Sequence, residues 1–164
     1  MSFDLQKLVR SHIADLQPYS SARDEFDPVD GDVVYLDANE NPYENGVNRY
    51  PDPQQRQLKE VIAMLRGVSA NQLLLGNGSD EVLDLIFRAF CTPNEDNIIV
   101  MPPTYGMYKV LANINGITLH EVPLSIDFQL VTKNIINRIS AQTKAIFLCS
   151  PNNPSGNSFR RADI

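Results

Sequence analysis

Four segments of the chain repeat apolar residues at the spacing of an amphipathic helix. In the first, apolar residues at i, i+3, i+4 and i+7 run from Leu58 to Leu65, and Gly67 then favours a helix end. The other three predicted helices cover residues 82–90, 107–114 and 135–139.

Short runs that are apolar throughout lie between these helices. They predict strands over residues 73–75, 98–101, 117–122 and 145–149, and a separate β-rich run predicts another at residues 33–36. Strands without polar alternation are typical of parallel sheets that helices cover on both faces. The pattern therefore predicts an α/β fold of three layers, αβα, with a mainly parallel sheet.

Prolines and glycines interrupt the first fifty residues, whereas the rest of the chain alternates strands and helices. We therefore expect an amino-terminal arm over residues 1–50 and one α/β domain over residues 51–164. Residues 159–164 have the character of a helix start, so we expect the sheet of this domain to be incomplete within the chain.

Composition narrows the choice of partners and compartment. The 164 residues are 43% hydrophobic and carry 14 Lys and Arg against 20 Asp and Glu, a net charge of −6 that disfavours a nucleic-acid backbone as partner. Two cysteines are too few for a disulfide framework, and no apolar run approaches a membrane span. The start of the chain also lacks the pattern of a signal peptide. We expect a soluble, cytoplasmic protein that binds neither nucleic acid nor membrane.

The loop at residues 76–81 has the composition of an anion site. Gly76 and Gly78 allow a tight turn before a helix whose first amides and positive dipole end point outward. The alternative is that Ser79 or Asp80 simply caps this helix. Glu81 stands where a dinucleotide-binding motif has its third glycine, and no Gly-Lys-Ser/Thr sequence follows. This excludes a nucleoside triphosphatase and weakens a nicotinamide-binding fold.

Two further loops follow predicted strands, and in a parallel sheet such loops meet at one edge. Tyr105 lies in the first, where its ring is able to stack on a flat ligand, and Asn153 lies in the second, held extended before a proline. Core packing of Tyr105 and a plain asparagine-proline turn are the alternatives.

Histidines and cysteines are given no chemistry. His12 and His120 are isolated from other metal-ligating or nucleophilic residues, which favours structural roles and predicts no metal site. Cys91 and Cys149 lie at the ends of apolar segments, where free cysteine usually behaves as a small hydrophobic residue.

Five motifs in order extend over almost the whole chain. They cover residues 39–42, 49–52, 78–81, 103–108 and 150–156. Together they resemble the histidinol-phosphate aminotransferase family, within its amino-terminal half. The resemblance implies a homodimeric fold-type-I enzyme with pyridoxal 5'-phosphate as cofactor, which moves an amino group between histidinol phosphate and 2-oxoglutarate in histidine biosynthesis. Residues 1–50 would then be the arm with a small-domain segment, and residues 51–164 the first part of the large cofactor-binding domain.

The same resemblance implies roles for individual residues around the cofactor. Gly78, Ser79 and Asp80 match the phosphate-binding turn, with the amides of Ser79 and Asp80 as donors. Tyr105 matches the tyrosine that stacks on the pyridine ring, and Asn153 the amide that donates to the phenolic oxygen.

Two residues of the arm match the substrate side of the family's site. Tyr50 matches the tyrosine that reaches into the partner subunit's site near the phosphate, and Asn39 matches the substrate-side loop. Ser155 stands where the family usually has threonine, and it keeps the hydroxyl.

The lysine that would form the Schiff base is the main departure from the family. Five lysines are present, at positions 7, 59, 109, 133 and 144, and none lies in a matching motif. Without this lysine there is no covalent cofactor link and no positioned base. We therefore expect the 164-residue chain by itself to have no catalytic residue and to be inactive, and its uncovered sheet to promote association.

Other functions remain open from the sequence. A related aromatic aminotransferase or threonine-phosphate decarboxylase fits the same motifs. A phosphate-binding or protein-interaction domain without catalysis fits the glycine loop alone. A nicotinamide-binding domain is disfavoured because residues 122–125 offer no acid for a ribose.

Overall fold

Residues 4–20 and 34–164 are described by the computed structural model of the chain. Within them, residues 4–15 and 76–164 form one compact unit, and residues 16–20 with 34–75 form another. The division into an arm and a domain after residue 50 stays a prediction.

Helices and strands alternate along the larger unit, and the described residues of the smaller unit contain one α-helix. The helices are α1 (Ser11–Ala14), α2 (Arg56–Arg66), α3 (Ser79–Phe90), α4 (Met107–Ile114) and α5 (Thr132–Arg138), and the strands are β1 (Asn97–Val100), β2 (Thr118–Glu121) and β3 (Thr143–Phe147). Single 3-10 turns occupy Leu5–Lys7, Ala70–Gln72 and Arg161–Asp163.

The three strands form a parallel sheet in the order β2–β1–β3. Ile98 of β1 lies opposite Leu119 of β2 and Ala145 of β3. Every residue of β1 is buried, and Ile98 and Ile99 have no exposed surface. The central strand is therefore covered on both faces, as its continuous apolar sequence predicts.

Alternate residues of β1 belong to two separate hydrophobic clusters. Ile98 and Val100 pack with Phe87 of α3 and Leu111 of α4, among others. Ile99 lies in the second cluster, whose other buried members are Met101, Val122, Leu130, Ile135 and Phe159. Helices α3 and α4 thus cover one face and α5 the other, which confirms the three-layer αβα fold.

An amino-terminal segment of the larger unit packs at the carboxyl end of α3. The amide of Arg10 donates to the Ala89 carbonyl (3.0 Å), and its guanidinium donates to the Arg88 carbonyl (2.9 Å). These bonds satisfy carbonyls that have no partner within the helix, and they place a positive charge at the negative end of its dipole.

Two strands predicted from sequence are wrong within the described residues. Residues 73–75 and 34–36 are in no strand, and Val33 lies outside the described residues. Leu74 is 59% exposed and Leu36 is 90% exposed. An apolar run becomes a strand only when another strand accepts its hydrogen bonds, and neither run has such a neighbour here. The predicted helix start at residues 159–164 contains one 3-10 turn, Arg161–Asp163.

Aromatic rings run in a row through the cluster that Ile98 shares. Phe87 stacks on Phe147 at a centroid distance of 5.3 Å, and Phe147 stacks on Tyr108 at 5.0 Å. Tyr105 then meets Tyr108 edge to face at 5.7 Å. Such ring pairs add to the stability of the fold beyond what the burial of their apolar area contributes. The row connects the core of the larger unit with a loop residue.

Phe87→Ala is expected to lower the free energy of unfolding by about 3–5 kcal/mol, because it leaves a cavity beneath Phe147 and ends the row of rings. Urea denaturation measures this loss. Leu85→Ala, in the same helix but 43% exposed, serves as the control and should cost about 1 kcal/mol or less. Equal losses in the two variants would contradict the assignment of Phe87 to the core.

His120 is expected to make stability depend on pH. Burial and the neighbouring Arg138 guanidinium, 2.8 Å from Nδ1, lower the pKa of His120 from its usual 6.5. The unfolded chain therefore takes up the proton more readily than the folded chain, so stability declines as pH falls below about 6.5 and through the lowered pKa. Urea midpoints of the wild type and His120→Gln between pH 8 and 5 test this, and superimposable profiles would contradict it.

Candidate functional site

Three loops of the larger unit carry the residues that sequence reasoning selects. We call them loop 1 (residues 76–78, before α3), loop 2 (residues 101–106, after β1) and loop 3 (residues 148–158, after β3). Loops 2 and 3 leave the carboxyl ends of adjacent parallel strands, where α/β sheets bind ligands.

Loop 1 ends at Gly78, whose backbone conformation (φ 85°, ψ 167°) is open almost exclusively to glycine. Gly78 occupies the N-cap position of α3, and no side chain caps this helix end. The alternative in which Ser79 or Asp80 caps the helix is therefore not realised. The first amides of α3, those of Ser79 and Asp80, remain available to an anion.

Both acidic residues beside this helix start are engaged elsewhere. The Glu81 carboxylate turns back to accept the amide of Asn77. A Cβ at Gly76 would lie 2.8 Å from the same carboxylate, so a larger residue at this position would displace the Glu81 side chain. Asp80 accepts a hydrogen bond from the hydroxyl of Tyr105 at 2.9 Å. Both carboxylates close to the free amides therefore already accept a hydrogen bond.

The hydrogen bond from Tyr105 to Asp80 joins loop 2 to the start of α3. It raises the pKa of Tyr105, so the phenol stays protonated and remains a donor at neutral pH. Tyr108 holds the ring of Tyr105 edge to face. Burial, with a smaller contribution from Cys149, raises the pKa of Tyr108 to about 12. The Tyr105 ring is thus held at its hydroxyl and at its side, and it stays partly exposed.

Loops 2 and 3 are joined through a residue that sequence reasoning passed over. Asn152 is 3% exposed, and its Nδ2 donates to the Pro103 carbonyl at 2.9 Å. Its neighbour Asn153 is exposed, and within the described residues its side chain makes no hydrogen bond. The amide of Asn153 therefore stays available to a ligand.

The predicted residues of the arm lie in the smaller unit, where Glu40 holds two motifs together. Its carboxylate, 5% exposed, accepts the Arg49 guanidinium at 2.9 Å and the backbone amide of Tyr50 at 2.9 Å. The Tyr50 side chain is 63% exposed, and Asn39 is exposed as well. Glu40 therefore fixes the backbone from which Tyr50 projects.

Other classes of site find no support in the part of the chain that the structure describes. Its His, Cys, Asp and Glu residues form no group able to hold a metal ion. Cys91 is buried and Cys149 half-buried, both unpaired, and burial raises the pKa of Cys91 to about 11. No helix within residues 4–20 and 34–164 is long and apolar enough to span a bilayer.

A family model described as aminotransferase class I and II matches residues 32–164. The chain belongs to this family. A histidinol-phosphate aminotransferase of Christiangramia forsetii is 62% identical over 162 residues, which cover 99% of this chain and 46% of that protein. Another, of Parabacteroides distasonis, is 51% identical and covers 98% and 46% respectively. The chain thus spans about half the length of the curated relatives that it matches.

Solved aminotransferases share the fold. The N-succinyldiaminopimelate aminotransferase of Mycobacterium tuberculosis superposes with a TM-score of 0.65 at 25% identity, over 72% of this chain and 33% of that one. The histidinol-phosphate aminotransferase of Clostridium acetobutylicum gives 0.61 at 23% identity, over 71% and 33%. Both solved structures therefore share the fold of this chain over the residues that superpose.

Gly78→Ala is expected to lower the free energy of unfolding by about 1–3 kcal/mol, because alanine disfavours the backbone conformation of loop 1. Steric conflict is not the cause, since nothing lies within 4 Å of a Cβ at this position. Gly106→Ala is the matched control: its Cβ also meets nothing within 4 Å, and its φ of −66° suits alanine. Equal effects of the two substitutions on urea unfolding would refute the conformational argument.

Proposed function

We propose that the protein to which this chain belongs transfers an amino group between L-histidinol phosphate and 2-oxoglutarate in histidine biosynthesis, with pyridoxal phosphate as cofactor. Membership of the aminotransferase family and the 62% identity to a histidinol-phosphate aminotransferase support this substrate. The observation that carries the proposal is that the hydrogen bonds of Tyr105 and Asn152 join the start of α3, loop 2 and loop 3.

The groups that these loops present fit pyridoxal phosphate. The free amides of Ser79 and Asp80 suit a phosphate, because donors and helix dipole both favour an anion there. The partly exposed Tyr105 ring suits a flat aromatic ligand. The Asn153 amide, which has no other partner in the described residues, suits an oxygen acceptor. When bound, the cofactor supplies an electron sink for chemistry at the amino-bearing carbon.

In this proposal each residue of the site binds or orients. Ser79 and Asp80 hold the phosphate through their amides while Gly78 provides the turn that exposes them. Tyr105 sets the ring plane, and the Asp80 carboxylate keeps its hydroxyl in place. Asn153 donates to the phenolic oxygen and so favours the charge state in which that oxygen is an acceptor.

The arm would supply the substrate side of the site. We propose that Tyr50 reaches toward the phosphate end of a partner subunit's site and that Asn39 lies beside the substrate. This requires a homodimer. Glu40 supports the role of Tyr50 because it fixes the tyrosine's backbone. A soluble, cytoplasmic protein is part of the same proposal.

The five lysines lie outside the three loops. Lys7, Lys109 and Lys144 are paired with acidic residues, and the other two are on α2 and α5. We therefore infer that the Schiff-base lysine is not among these 164 residues. The chain alone would then hold the cofactor at most without a covalent bond and would not transfer amino groups.

The full-length product of the reading frame that contains this chain should form glutamate from histidinol phosphate and 2-oxoglutarate when supplied with pyridoxal phosphate. Asn153→Ala and Tyr105→Ala are each expected to weaken cofactor binding about tenfold or more, since each removes a hydrogen bond or a stacking face. Spectroscopic titration with pyridoxal phosphate measures the affinity, and Asn134→Ala, on the exposed side of α5, is the control.

Several results would count against the proposal. Turnover only of aromatic amino acids would favour an aromatic aminotransferase. Equal binding of any phosphate ester, without amino transfer, would favour a phosphate-binding domain. Amino transfer by a verified 164-residue preparation would refute the inference about the missing lysine.

A further inference from the structure

We propose that Asn152 is a positioning residue, which holds Asn153 and Tyr105 at a fixed separation so that both address one cofactor ring. The inference rests on the proposed function for the roles of Asn153 and Tyr105. It assigns to Asn152 no contact with the cofactor. Its basis is the hydrogen-bonding and burial of the Asn152 side chain.

Chemistry determines how the Asn152 amide is oriented. Pro103 offers a carbonyl, which only accepts, so the amide must turn its NH₂ group toward it. The same nitrogen donates to the Ser155 hydroxyl at 2.6 Å. The Oδ1 atom is buried and has no partner among the described residues. A buried amide that leaves its acceptor unsatisfied is held by its two donor bonds, and these point to loop 2 and to loop 3.

The bonds of Asn152 continue through loop 3. The Ser155 hydroxyl donates to Oδ1 of Asn157, and Nδ2 of Asn157 donates to the Phe128 carbonyl at 2.8 Å. The backbone of Asn152 also donates to the Asn157 carbonyl at 2.8 Å and accepts from the Gly156 amide at 2.7 Å. One buried side chain therefore lies at the start of a network that holds loop 3 to the segments that follow β1 and β2.

The position of Asn153 depends on this network. Its own side chain is exposed and makes no hydrogen bond within the described residues, so the backbone of loop 3 is what places this side chain relative to Tyr105. That backbone is bonded, through the preceding residue, to Pro103, which is two residues before Tyr105. Loss of the Asn152–Pro103 bond would let the two groups move independently while each loop kept its internal turns.

Asn152→Ala removes both donor bonds, and Ser155→Ala removes only the hydroxyl that continues the network. Ser155→Thr keeps that hydroxyl and should restore the behaviour of the wild type. Asn134→Ala, an exposed asparagine of α5 outside all three loops, is the matched control. Ser155→Ala also keeps the proposal testable if Asn152→Ala does not fold.

Hydrogen exchange, followed by mass spectrometry on the full-length protein without added cofactor, tests the link itself. In Asn152→Ala, amide exchange should become at least threefold faster in both segments, residues 102–106 and 151–157. A smaller rise confined to residues 151–157 is expected in Ser155→Ala. If Asn152→Ala accelerates exchange in loop 3 alone, the two loops are not coupled through Asn152 and the proposal is wrong.

Circular dichroism in the absorption band of bound pyridoxal phosphate tests the consequence for the ligand. At equal occupancy, the signal per bound cofactor should fall at least twofold in Asn152→Ala and recover in Ser155→Thr relative to Ser155→Ala. A variant that is merely less stable would bind less cofactor, but its circular dichroism signal per bound cofactor would not change. An unchanged signal per bound cofactor in Asn152→Ala would therefore overturn the positioning role. If the wild type binds no pyridoxal phosphate, the proposed function fails, and hydrogen exchange alone decides on the link between the loops.

Discussion

The burial of β1 on both faces is the constraint on which the larger unit depends. In a parallel sheet the connecting helices lie on both faces, so the side chains of a central strand are covered above and below. Ile98 and Ile99 meet this demand from opposite faces, and each organises a separate hydrophobic cluster. The loops that connect the strands to these helices lie at one edge of the sheet. The packing of the core therefore determines where the candidate site lies.

The site combines local turn chemistry with bonds between distant segments. Gly78 exposes the first amides of α3 by its own backbone conformation, which needs no distant residue. Tyr105 and Asn152 instead depend on partners 25 and 49 residues away along the chain. In the proposed function, the first kind of feature would bind an anion, and the second kind would arrange several such groups around one ligand.

This difference explains what the sequence could and could not predict. Helices α2 to α5 and the three strands follow from apolar spacing, which is local, and the predicted loop residues Gly78, Tyr105 and Asn153 lie at the helix and strand ends that this spacing implies. The run at residues 73–75 has the composition of a strand but no strand beside it, and composition does not reveal a missing neighbour. Asn152 and Asn153 are the same type of residue, so the sequence does not reveal which of them is buried. In the structure Asn152 is the buried one, and its side chain donates to the Pro103 carbonyl.

The row of rings from Phe87 through Phe147 and Tyr108 to Tyr105 means that the interior and the site are not independent under mutation. Hydrophobic cores generally tolerate repacking if their volume is kept. Here a change in the position of the Phe87 ring passes through Phe147 and Tyr108 to Tyr105, the tyrosine that is proposed to stack on the cofactor. Under the proposed function, the sequence at Phe87 and Phe147 would be constrained by ligand binding as well as by stability, although neither residue is among those proposed to bind the cofactor.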